Sequence, residues 1–125
     1  MTHRILAIDD SPTMRGLIAR TLGEHDFAVT LAEDGADGLD RLAEVDPHLV
    51  LTDINMPRLD GFGVIEGVRG HPAYASTPVL VLTTESSPEL KRRARSSGAT
   101  GWIVKPFDDM ALVGVIRRVL GVPLG

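Results

Sequence analysis

The sequence predicts an α/β fold, a doubly wound sheet of five parallel strands with five helices packed on its two faces. Three observations carry this. Apolar runs at residues 5–8, 49–51, 79–82 and 102–104 are too short for helices and apolar without alternation, as strands covered on both faces are. Between them lie stretches whose apolar residues recur at helical spacing. The two kinds of segment alternate along the whole chain, and strand–helix–strand units in one sheet connect through right-handed crossovers.

The elements follow in order. After the first run, Ser11-Pro12 supplies an N-cap and a proline at the first helical position, and Met14, Leu17, Ile18 and Leu22 then recur at helical spacing. Gly23 can close this helix. Phe27-Ala28-Val29-Thr30-Leu31 alternates large apolar with smaller residues, which suits a half-buried edge strand. Asp34 starts a second helix that turns Leu39, Leu42 and Ala43 inward and ends before Pro47. A third runs from about Gly61 with Phe62 and Ile65. The fourth opens at Ser87-Pro88, with Leu90 and Ala94 inward and Lys91, Arg92, Arg93 and Arg95 outward. The fifth starts at Asp108, carries Leu112, Val115, Ile116, Val119 and Leu120 on one stripe, and stops at Gly121 and Pro123.

A chain of 125 residues that is 43% hydrophobic reads as one domain over 1–125, able to bury a core without staples. It has no cysteine, which removes disulfides, thiol catalysis and zinc–thiolate sites together. His3, His25, His48 and His71 are scattered singly, so a transition-metal site is not expected. The N-terminus reaches charged residues within its first ten positions, so neither a signal peptide nor a membrane span is expected there. A net charge of -4 argues against a nucleic-acid partner. The expectation is a soluble, cytoplasmic protein.

In doubly wound sheets, ligands bind outside the carboxyl ends of the strands, where the strand order reverses. The residues ending the strands are Asp9-Asp10, Asp53, Thr83 and Lys105. Singly, each has an ordinary structural explanation: helix cap, turn residue, solvated end. An N-cap accounts for one acid and not for three. Three carboxylates converging within a few ångströms repel one another unless a cation sits among them, and oxygen-only donors suit Mg2+ better than zinc. A carboxylate beside such an ion can attack phosphorus and form an aspartyl phosphate. That transfer needs mainly positioning and neutralisation of the phosphoryl oxygens, which Lys105 and Thr83 could help supply. Residue types alone leave open which aspartate is the nucleophile.

The segments IDDSPTMR, LTDINMPRLDGFGVI, VLVLTTES and GATGWIVKPF, in this order and spacing, resemble response-regulator receiver domains across essentially the whole chain. More narrowly, they resemble single-domain chemotaxis receivers of CheY type. The resemblance implies strand order 2-1-3-4-5 and makes Asp53 the phosphoacceptor, fed by a histidine kinase of chemotaxis type. It implies Mg2+ bound directly by Asp10 and Asp53, through water by Asp9, and by the backbone carbonyl of Asn55. Thr83 would hydrogen-bond the phosphoryl group and Lys105 would pair with it. Lys105-Pro106 would be a cis peptide, and Asn55 and Glu85 would flank the attacking water and tune the phosphoryl lifetime. The output face would be the fourth helix, the last strand and the fifth helix, meeting a flagellar motor switch or another target, with a phosphatase as a further partner. The protein would act as a monomer and catalyse only its own phosphorylation and dephosphorylation, so it is not an enzyme in the usual sense.

One position departs from the family. Trp102 stands where the switch aromatic is usually tyrosine or phenylalanine. Indole is bulkier and lacks a hydroxyl, so an inward rotamer coupled to Thr83 is expected to be only partly available. Of the rival readings, an aspartate-nucleophile phosphatase needs a second acid two residues after its nucleophile on the first strand. Asp9 and Asp10 are adjacent, and position 11 is serine. A nucleotide site needs a glycine-rich loop after the first strand, and Asp10-Ser11-Pro12-Thr13 offers none. A phosphate sink for a kinase, or the receiver half of a DNA-binding regulator, remains open.

Overall fold

In the computed structural model, which describes residues 2–122, strands and helices alternate as the pattern requires. The strands are β1 (His3–Ile8), β2 (Phe27–Ala32), β3 (Leu49–Thr52), β4 (Val79–Thr83) and β5 (Gly101–Val104). The helices are α1 (Pro12–Gly23), α2 (Gly35–Asp40), α3 (Leu42–Val45), α4 (Gly61–Gly70), α5 (Pro88–Ser97) and α6 (Asp109–Leu120). All strand pairs are parallel, in the order β2-β1-β3-β4-β5. The order reverses between β1 and β3, the neighbours whose ends are followed by Asp9 and Asp53.

Alternation along the central strands divides the core in two. Leu6, Ile8, Val50, Val79 and Val81 face Phe62, Ile65 and Val68 of α4 and Ala94 of α5. Ile5, Ala7, Leu49, Leu51, Leu80 and Leu82 face Ile18 and Leu22 of α1 and Leu112, Val113 and Ile116 of α6. Both faces are buried, which is why β1, β3 and β4 read as unbroken apolar runs.

Five of the six described helices start at side-chain caps, α3 being the exception. Ser11, Asp34, Asp60, Ser87 and Asp108 each accept a backbone N–H from the first turn of α1, α2, α4, α5 and α6. Gly98 and Gly121 end α5 and α6 in the left-handed conformation, at φ 108° and 72°. Pro123, predicted beyond α6, lies outside the described residues.

Four expectations need correction. The second predicted helix is two helices, so the sheet carries six rather than five. The break is at Arg41, where ψ is -8° and the N–H is shared between the carbonyls of Asp37 and Gly38. Ala43, expected inward, is exposed on the short α3, whereas Leu42 is buried. Gly23 is the last residue of α1, and the left-handed turn falls instead on Asp26, at φ 66°. The run in β5 is not covered on both faces: as an edge strand it leaves Trp102 and Ile103 half-buried and Val104 exposed. Among the described residues, no helix is long and apolar enough to cross a membrane.

Candidate functional site

Parallel strands put their carboxyl ends on one edge, and register sets which residues stand level there. Ile8 is paired with Thr52, so Asp9 and Asp53 follow side by side, and the Asp53 N–H donates to Ile8 O at 3.0 Å. Thr83 is paired with Val104, and the N–H of Lys105 donates to Thr83 O at 2.7 Å. The peptide that follows, Lys105–Pro106, is cis, as the sequence led us to expect.

Side chains close the cluster. Lys105 Nζ lies 2.6 Å from Asp9 Oδ2 and 2.8 Å from Asp53 Oδ2. The Lys105 side chain is only 8% exposed and those of Asp9 and Asp53 only 2% and 13%, so these charges meet with little water between them. Burial alone would lower the lysine's pKa. Its hydrogen bonds to Asp53 and Asp9 outweigh this and hold the ammonium above its usual value of 10.5. The other carboxylate oxygens take backbone donors: Ser11 N–H to Asp9 Oδ1 at 2.9 Å, and Ile54 N–H to Asp53 Oδ1 at 2.6 Å. Arg15 reaches the Asp9 carbonyl at 2.8 Å. None of these three donors was foreseeable from residue type: two are main-chain amides, and the third acts on a carbonyl.

Asp10 is exposed, yet it offers an oxygen that, with one each from Asp9 and Asp53, forms a set within 4.8 Å. Three carboxylates against one ammonium leave two negative charges uncompensated, the charge of one divalent cation. The donors are all oxygen and one of the acids faces solvent. That suits a hard ion keeping part of its water shell, so the residues present fit Mg2+.

The other expected residues form a second linked group. Thr83 is fully buried, and its hydroxyl accepts the Glu85 N–H at 3.3 Å. Asn55 donates from Nδ2 to Glu85 Oε1 at 2.9 Å, bridging the loops after β3 and β4. Trp102, packed against the α4 side of the core, donates its indole N–H to Glu85 O at 3.0 Å. Indole lacks a hydroxyl, but its N–H supplies a donor that reaches the loop carrying Thr83. Beside it a pocket of about 100 Å3 is lined by Lys91, Ala94, Arg95, Ala99, Thr100, Gly101 and Trp102. Lys91, Arg92, Arg93 and Arg95 are all exposed, as expected, and the Arg93 guanidinium also lies 3.8 Å over the Phe62 ring.

Comparison with known proteins agrees with this fold. The family model for the response regulator receiver domain matches residues 5–117. The probable chemotaxis protein CheY of Rhizobium etli is 34% identical over 119 residues, covering 94% of this chain and 92% of its own. The crystal structure of the Vibrio cholerae chemotaxis protein CheY4 superposes with a TM-score of 0.91 at 38% identity, covering 95% of this chain and 99% of that one. A response regulator from Burkholderia multivorans, determined in solution, is 50% identical with a TM-score of 0.79, covering 100% of this chain and 99% of its own.

Proposed function

Because the chain belongs to the response regulator receiver family, we propose that Asp53 accepts a phosphoryl group from a histidine kinase and that the α5–β5–α6 face reports it to a target. The observation that carries this reading is the Lys105 ammonium shared between Asp9 and Asp53 beside an exposed Asp10.

The chemistry follows from those contacts. An Asp53 carboxylate oxygen attacks phosphorus, a P–O bond forms, and the P–N bond to the donor imidazole breaks with its electron pair leaving on nitrogen. Asp9, Asp10, Asp53 and the carbonyl of Asn55 would hold Mg2+, which neutralises charge on the phosphoryl oxygens when bound. Lys105 stands within reach of the same oxygens, and its raised pKa keeps it cationic at neutral pH. The Ile54 N–H orients the carboxylate before reaction. Asn55 and Glu85, joined at the mouth, govern how water reaches the acyl phosphate and so how long it lasts.

Output runs through the second group. When Thr83 turns its hydroxyl to the phosphoryl group it releases the Glu85 N–H, and the Glu85 carbonyl that holds Trp102 moves with it. A partner that binds the two arrangements unequally then reads the signal. Exposed Lys91, Arg92 and Arg95 favour a partner segment with acidic residues. The similarity to chemotaxis proteins CheY and CheY4 supports a chemotaxis kinase upstream; we place a motor-type target downstream and the protein in the cytoplasm as a monomer.

Acetyl phosphate with Mg2+ tests the reading. Intact mass should rise by one phosphoryl group in wild type, and by none when Mg2+ is chelated or in Asp53→Asn. Equal labelling of Asp53→Asn and wild type would overturn the assignment.

A further inference from the structure

The loop between β3 and α4 carries Asn55, whose carbonyl is the one main-chain oxygen assigned to the metal. It is restrained at both ends. The Gly61 N–H donates to Ile54 O at 2.8 Å, and a Cβ on Gly61 would fall 2.2 Å from Asp53 O, so the chain can pass there only as glycine. At the other end, the Gly35 N–H donates to Leu59 O at 3.2 Å, and a Cβ on Gly35 would again lie 2.2 Å from that oxygen. Between these two points stands Arg58, at φ 66°.

That conformation is disfavoured for any residue with a Cβ, and glycine or asparagine would take it at lower cost. Arginine at this position therefore points to a use for its side chain. Nε lies 2.8 Å from Asp34 Oδ2 and Nη2 lies 3.0 Å from Asp34 Oδ1, a two-pronged bond to a carboxylate whose side chain is only 7% exposed. Asp34 is itself fixed, because its Oδ1 accepts the Asp37 N–H at 2.8 Å as the cap of α2. It sits just past β2, whose last residue, Ala32, accepts the Asp9 N–H at 3.1 Å. Arg58 thus ties the Asn55 loop to the corner from which Asp9 and Asp10 emerge.

We propose that Arg58 is a positioning residue for the metal, its two-pronged bond to Asp34 fixing the Asn55 carbonyl relative to Asp10 and Asp53. This rests on the reading above, in which that carbonyl and those acids hold Mg2+. Partners that orient a metal's ligands affect affinity even though they never touch the ion.

Arg58→Gly removes the side chain while suiting the backbone conformation, so it separates loss of the bond from strain. In calorimetric titrations of the full chain with Mg2+ alone, Arg58→Gly should raise Kd about tenfold. Asp34→Asn, which keeps an oxygen to cap α2, should shift it in the same direction, and combining the two changes should add little further. Arg58→Lys, which restores charge without the fork, should fall between. The Mg2+ concentration giving half-maximal phosphorylation by acetyl phosphate should move in the same proportion. A Kd in Arg58→Gly equal to that of wild type would overturn the proposal while leaving the metal site standing. So would losses of affinity that merely track a fall in metal-free melting temperature across the variants. If wild type itself bound no Mg2+, the underlying reading would fail and the inference with it.

Discussion

Asp9 and Asp53 share one ammonium, whereas Asp10 faces solvent, and that inequality decides what each substitution does. Without metal, the three carboxylates repel one another with a single positive charge among them. Asp10→Asn removes one negative charge and breaks neither of the Lys105 bonds. It is expected to stabilise the metal-free protein by about 1 kcal/mol, of the order seen when surface charge is optimised. Asp53→Asn relieves the same repulsion but takes an ionic acceptor from a buried lysine, so its gain should be smaller or absent. Melting curves in a chelator check the ranking, and a larger gain from Asp53→Asn would contradict it. The four charged groups were legible in the sequence because strand ends in a doubly wound sheet converge. Their donors from Ser11 and Ile54 were not, since a main-chain amide leaves no mark on residue type. Nor was the Arg58–Asp34 pair, 24 residues apart and joined only by the fold.

Among the four longer helices, α5 is held least by its apolar side: only Ala94 is buried and Leu90 is half-buried. Its position depends instead on the Ser87 cap, on Arg93 over Phe62, and on Arg69, which donates to Gly98 O at 3.0 and 2.8 Å. An element anchored by a few polar contacts is one that a small change at the neighbouring loop can shift. Trp102 reports on that loop through its bond to Glu85 O. Its emission should change when Mg2+ and beryllofluoride are added, and Thr83→Ala should blunt the change while Asp53 still takes phosphate. Emission that responds equally in Thr83→Ala would show that the coupling bypasses Thr83. Caps and terminal glycines made α1, α5 and α6 readable, because they are local. The exposure of β5 was not readable from its apolar run, although the strand order implied by the resemblance placed it at an edge. The break at Arg41 was not readable either, since a hydrogen bond shared inside one turn leaves no mark on residue type.

For the molecule as a whole, the edge opposite the site carries a pH dependence of its own. His48 Nδ1 accepts the Arg4 N–H at 2.9 Å, and the His3 ring lies 5.0 Å away, edge-on. Burial, then the charges of Arg4 and His3, hold the His48 pKa below 6.5, against a smaller opposing pull from Asp46. The unfolded chain therefore takes up a proton here at a higher pH than the folded one. Stability from this group is fully present above pH 6.5 and falls as pH drops through the lowered value. Asp34, whose bonds to Arg58 and to the Asp37 N–H hold its pKa below 3.8, loses its contribution only at lower pH, so the two windows separate. His48→Asn, which can still accept the Arg4 N–H, should flatten the unfolding free energy just below pH 6.5. An unchanged slope there would remove His48 from the account.

The central claim is that Asp53, and neither Asp9 nor Asp10, forms the bond to phosphorus. Borohydride reduces an aspartyl phosphate to homoserine and so marks the residue itself. After phosphorylation with acetyl phosphate and Mg2+, reduction and peptide mapping should find homoserine at position 53 and at no other aspartate. Homoserine at position 9 or 10, or none in protein that has demonstrably gained a phosphoryl group, would contradict it.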